Sequence, residues 1–105
     1  MNKQNLFASL PADLTHEVFE QVGGSDTVLI ERIVSKAHVT PKGQWYDQDR
    51  NEWVMVLKGE AKLQFEDVEP IHLKVGDYID IPAHCKHRVS WTSEETETLW
   101  LAIHY

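Results

Sequence analysis

From residue 28 onward the chain breaks into short apolar runs separated by turn residues, and this punctuation restricts it to an all-β fold. Strands are expected over 28–35, 52–57, 60–66, 71–75, 78–81, 87–92 and 98–104, with turn signals at 40–43, 58–59, 69–70, 75–77 and 93–95. Short strands at this spacing, with no helical pattern among them, predict an antiparallel barrel or jelly roll. Ahead of them, Leu10, Leu14, Val18 and Val22 recur every fourth residue and stop at Gly23-Gly24, which predicts a short N-terminal amphipathic helix. The expected organisation is a single domain, 1–105, with residues 1–27 as a helical brace and 28–105 as the barrel. A chain of 105 residues with 42% hydrophobic content can build one core of this kind and no second.

Charge and composition exclude several partners. Seventeen acidic residues against 10 basic give a net charge of −7, which repels a phosphate backbone, so nucleic acid is not an expected partner. No apolar run approaches the roughly 20 residues that span a bilayer, and the polar start Met1-Asn2-Lys3-Gln4-Asn5 lacks a signal-peptide core. No membrane partner is expected, and the compartment read from these features is the cytoplasm. The lone Cys85 cannot form an internal disulfide, in keeping with that reading.

Gly76-Asp77-Tyr78-Ile79-Asp80-Ile81-Pro82-Ala83-His84-Cys85-Lys86-His87 places a proline-bounded turn and two histidines at the end of a short strand. Upstream, Glu52 opens a strand that ends at Lys58-Gly59. Together these segments resemble the two motifs of the cupin superfamily over residues 28–105. In the second motif Gly76, Pro82 and His87 stand at the required spacing, with His84 in place of its second glycine and Trp91 in place of its asparagine. In the first, Glu52 and Gly59 match, while the paired histidines are replaced by residues of the Trp45-Tyr46-Asp47-Gln48 segment. The resemblance implies a double-stranded β-helix, a small stand-alone cupin, and a homodimer.

The resemblance also implies a divalent metal, because the cupin residues matching Glu52 and His87 are ligands. Asp47, with Gln48 or His84, would complete a mixed nitrogen and oxygen set suited to Zn, Mn, Fe or Ni. In a metal-free alternative, Glu52 and His87 bond to each other or to Tyr46 and Gln48. Alternation along the strands puts Val54 and Val56 on the face of Glu52, groups His87, Val89 and Trp91, and groups Trp100, Ala102 and His104. The pocket expected from these faces holds a small polar molecule, with Trp45, Arg88, Trp91 and His104 around it. Tyr46 and His84 are the candidate general acid/base groups, and no organic cofactor is expected. A metal-assisted enzyme and a binding module without turnover both fit.

Overall fold

The computed structural model describes residues 1–105 and contains eight strands and no helix. They are β1 (Val18–Gly24), β2 (Leu29–Ser35), β3 (Glu52–Lys58), β4 (Ala61–Phe65), β5 (Ile71–Leu73), β6 (Tyr78–Ile81), β7 (His87–Thr92) and β8 (Thr98–His104). Two sheets face each other, one in the order β1-β2-β8-β3-β6 and one in the order β5-β4-β7. Every pairing is antiparallel. No helix is long and apolar enough to cross a membrane.

The alternating faces of these strands build the core. Ile33, Val54, Val56, Trp100, Ala102 and Ile81 point inward from the larger sheet and meet Ala61, Leu63 and Leu73 from the smaller one. Each fully buried Val, Leu or Ile side chain among them contributes about 1.5–3 kcal/mol of transfer free energy. The β3–β4 turn depends on Gly59. Its φ is +81°, and a Cβ there would sit 2.6 Å from Thr98 Oγ1 and 2.8 Å from Glu97 O, so a side chain is excluded both by conformation and by space.

The expected N-terminal helix is absent, and its second half is the edge strand β1, paired with β2 from Val18↔Val34 to Gly24↔Leu29. A repeat of four fits a helix face and equally fits every second position of a strand, so the Leu10, Leu14, Val18, Val22 spacing does not separate the two. Long-range pairing decides between them, aided by a bulge between Gln21 and Gly23. Gly24 then turns the chain at φ +140°, where a Cβ would lie 2.3 Å from Val28 O.

Residues ahead of β1 are irregular and are anchored by Arg32, which is 6% exposed. Its guanidinium donates to the backbone carbonyls of Leu6, Ala8 and Ser9 and to the Glu20 carboxylate. Arg32 lies on the face opposite the core, together with Val34 and Leu99, which are both fully buried. The N-terminal segment therefore covers the outside of this sheet at its β1–β2 end.

Candidate functional site

A cavity of about 260 Å³ lies between the two sheets. Its walls are apolar: Ile33, Val54, Leu63, Ile81, Val89 and Trp100 come from six different strands. Polar groups converge at one end. Glu52 opens β3 and lies opposite His104 of β8 and Ile81 of β6, while His87 opens β7, so two strand starts and two strand ends meet there.

Glu52 and His87 are 8% and 4% exposed, and His87 Nε2 lies 3.2 Å from Glu52 Oε1. The other ring nitrogen, Nδ1, is 2.9 Å from the Cys85 carbonyl oxygen. That oxygen can only accept, so Nδ1 carries the hydrogen and the neutral ring turns a lone pair from Nε2 toward the carboxylate. Two acceptors so placed require a proton or a cation between them. Burial, the largest influence, pulls the His87 pKa down. The hydrogen bond and charge of Glu52, together with the Cys85 carbonyl, outweigh it and hold the imidazole above its ordinary value.

The second Glu52 oxygen, Oε2, lies 3.9 Å from His104 Nε2, which in turn is 2.9 Å from Glu31 Oε1. Glu52 is thus flanked by two imidazoles, of which His104 also contacts Glu31 and His87 the Cys85 carbonyl. Tyr46 closes the same end, its ring centroid 5.6 Å from that of His87. It is held there by the backbone, because Tyr46 N donates to His87 O at 2.7 Å and His87 N donates to Tyr46 O at 3.1 Å. Burial and the charge of Glu17 raise the pKa of its hydroxyl, so Tyr46 stays a hydrogen-bond donor.

Two cavity-lining residues leave a buried polar atom without a partner: Gln48 through Oε1 and Trp100 through Nε1. In a folded chain such atoms are ordinarily satisfied, which makes these two notable.

Of the residues expected around the site, Tyr46, Gln48, Glu52, His87 and His104 line the cavity. Asp47 and His84 do not. They pair with each other on the surface, Nδ1 to Oδ1 at 2.9 Å, with Asp49 3.6 Å from the other ring nitrogen. His84 adopts φ +61°, the left-handed backbone for which the motif glycine is suited. Trp45 is half-buried away from the cavity wall. Arg88 is turned outward, donating to Gln64 Oε1 and to the Thr40 carbonyl.

Trp91, expected on the face of His87 and Val89, also lies outside. β7 is bulged between the pairs Lys62↔Trp91 and Leu63↔Val89, and the extra residue, Ser90, reverses the alternation. The Trp91 ring instead meets Lys62 at 5.7 Å and His72 at 6.0 Å on the outer face.

Glu17, Phe19 and Glu31 line the cavity without having been expected there. Glu31 shares a face with Ile33 by simple alternation, a signal that was present in the sequence. Glu17 and Phe19 lie in the segment where the four-residue repeat fits a helix as well as a strand, and only strand alternation puts them on one inward face.

No three His, Cys, Asp or Glu side chains gather closely enough to hold a metal ion. An ion at this end would therefore rest on Glu52 and His87 with Gln48 Oε1 as a further oxygen. The chemistry of that set is compatible: a lone pair on Nε2, a carboxylate, and a buried amide oxygen with no donor.

A family model described as "Cupin domain" matches residues 36–104. Among solved structures, a Ralstonia eutropha protein provisionally named a mannose-6-phosphate isomerase is 41% identical, covering 99% of this chain and 97% of its own, with a TM-score of 0.94. A cupin superfamily protein from Desulfitobacterium hafniense is 21% identical over 90% of this chain and 82% of its own, TM-score 0.73. A Thermus thermophilus structure is 17% identical over 99% and 96%, TM-score 0.80. These last two are similar in fold. No curated protein matches the chain.

Proposed function

The chain belongs to the cupin family, and from that premise we propose that its barrel binds a small polar metabolite with an apolar body, seated between the two sheets with its polar end at Glu52 and His87. One observation carries this reading: an apolar cavity of about 260 Å³ whose buried polar groups converge at one end around Glu52. Tyr46, kept protonated, is the group in the cavity fitted to deliver a proton to a bound carbonyl or alkoxide if turnover follows. His84, tied to Asp47 at the surface, would act only on a ligand reaching the rim.

The Ralstonia relative's name raises a phosphorylated sugar, and the cavity argues against it for this chain. Glu17, Glu31 and Glu52 line it, and no Lys or Arg does. A phosphate dianion is held in proteins by Arg, Lys or clustered backbone N–H groups, and three carboxylates repel it.

A divalent ion is a second reading, favoured by the unpartnered Gln48 Oε1 and the lone pair on His87 Nε2. Glu52, His87 and Gln48 would hold it, and Asp47 would join only by leaving His84. Such an ion supplies Lewis-acid polarisation of a bound oxygen. The proposed assembly is a homodimer.

The Trp100 indole N–H, inside the cavity, gives a direct readout. In NMR titrations with small polar fragments, binders should shift this resonance and the amides of Glu52 and Val54, and Glu52→Ala should remove the response. Shifts confined to the outer surface would overturn the pocket. For the ion, calorimetry with Zn, Mn, Ni and ferrous iron should show saturable binding that His87→Ala abolishes, and its absence in folded wild-type protein would eliminate that second reading.

A further inference from the structure

Resting on the pocket reading above, we propose that the cavity selects a small organic ammonium, specifically an amine that also carries a hydroxyl or carbonyl oxygen. The sign of the field decides the charge. Three carboxylates, Glu17, Glu31 and Glu52, face the cavity against two histidines, His87 and His104. With both imidazoles protonated the balance is three negative against two positive, a net −1, and in every other protonation state of the histidines it is more negative.

Fixed cations are directed elsewhere. The Arg32 guanidinium lies on the opposite face of its sheet, committed to Glu20 and the carbonyls of Leu6, Ala8 and Ser9. Arg88 is spent on Gln64 and Thr40, and Lys58 pairs with Glu97 at 3.4 Å. No Lys or Arg therefore compensates the field, and the two histidines offset at most two of its three charges, in a space whose low polarity strengthens it.

Two independent observations point to an occupant. Gln48 presents a buried carbonyl oxygen with no donor, the partner an ammonium N–H would satisfy. Trp100 is 3% exposed and leaves its indole N–H without an acceptor, which asks for an oxygen on the same molecule. Apolar walls from Val54, Leu63, Ile81 and Val89 accept the hydrocarbon part. A carboxylate or phosphate ligand would satisfy Trp100 but would face three glutamates, with only His87 and His104, already engaged by Glu52 and Glu31, to pair its charge.

Phenylethanolamine, styrene glycol and mandelate test this directly, because they share a phenyl ring and a benzylic hydroxyl and differ in carrying ammonium, hydroxyl or carboxylate. Titrated into the full chain at low ionic strength and followed at the Trp100 indole resonance, the amine should bind at least ~10-fold more tightly than the glycol, and mandelate more weakly than either. Glu17→Gln and Glu31→Gln should each narrow the amine-to-glycol ratio by about 3-fold or more while leaving glycol binding in place, and added salt should weaken the amine selectively. Mandelate or the glycol binding as tightly as the amine overturns the charge selection and leaves the pocket standing. If none of the three moves the Trp100 resonance in folded protein, the pocket reading fails, and the ammonium site with it.

Discussion

His87 is bonded at both ring nitrogens, to the Cys85 carbonyl and to Glu52, and its stability contribution follows from that arrangement. Its pKa is raised in the folded chain, although burial works against the rise. A group raised on folding stabilises fully below its unfolded value of about 6.5, and that stabilisation is lost as pH climbs through the higher folded value. The melting temperature should therefore decline on going from about pH 6 through the upper histidine range, to a degree that Glu52→Gln reduces. Identical pH profiles for the wild type and Glu52→Gln would show that the pair does not hold the proton. At this scale the sequence was readable where a motif or a regular alternation applied. Glu52 and His87, 35 positions apart, face each other as their motifs imply. Trp91 was not readable, because a one-residue bulge at Ser90 reverses the side chains beyond it and leaves no mark in the hydrophobic pattern.

Strands 28 to 104 were legible because each is short, bounded by Gly, Pro or acidic turns, and alternates on one buried face. β1 was not, since its four-residue spacing is common to both periods and its outcome depends on an arginine 12 positions beyond Glu20. Arg32 ties the N-terminal segment to β2 through three backbone carbonyls, none of which is visible in a sequence pattern. Lys cannot reproduce that fork. Arg32→Lys should cost about 2–4 kcal/mol, from donors lost to part-buried carbonyls and from water admitted to Val34 and Leu99. The first cleavage by a broad-specificity protease should move to residues 6–16, ahead of any cut in the barrel. Equal protection of the N-terminal segment in wild type and variant would remove Arg32 from this role. The consequence reaches the site, because Glu17 and Phe19 enter the cavity wall at the end of this same segment.

Across the whole molecule, the two sheets differ in how well their outer faces suit water. The outer face of the β4–β7 pair is mostly polar, with Lys62, Gln64 and Arg88 outward and Trp91 lying beside Lys62. On the larger sheet, the register pairs Trp53 with Ile103 and Met55 with Leu101 on the side away from the core, and Met55 with Tyr78 beside them. Tyr78 is 62% exposed and stacks at 5.1 Å on Trp53, which extends the patch toward the free edge of β6. An antiparallel sheet facing solvent would carry polar residues here. The N-terminal segment covers only the β1–β2 end of this face, so the β8–β3–β6 end is the surface on which the proposed homodimer would form, an apolar patch with Asp80 beside Trp53. Light scattering at micromolar concentration should give about twice the 12.2 kDa chain mass. Replacing Leu101 with Glu should reduce it to the monomer while the Trp100 indole resonance, on the opposite side of β8, keeps its position. A wild-type monomer at those concentrations would refute the dimer and leave the cavity, which is built within one chain, untouched.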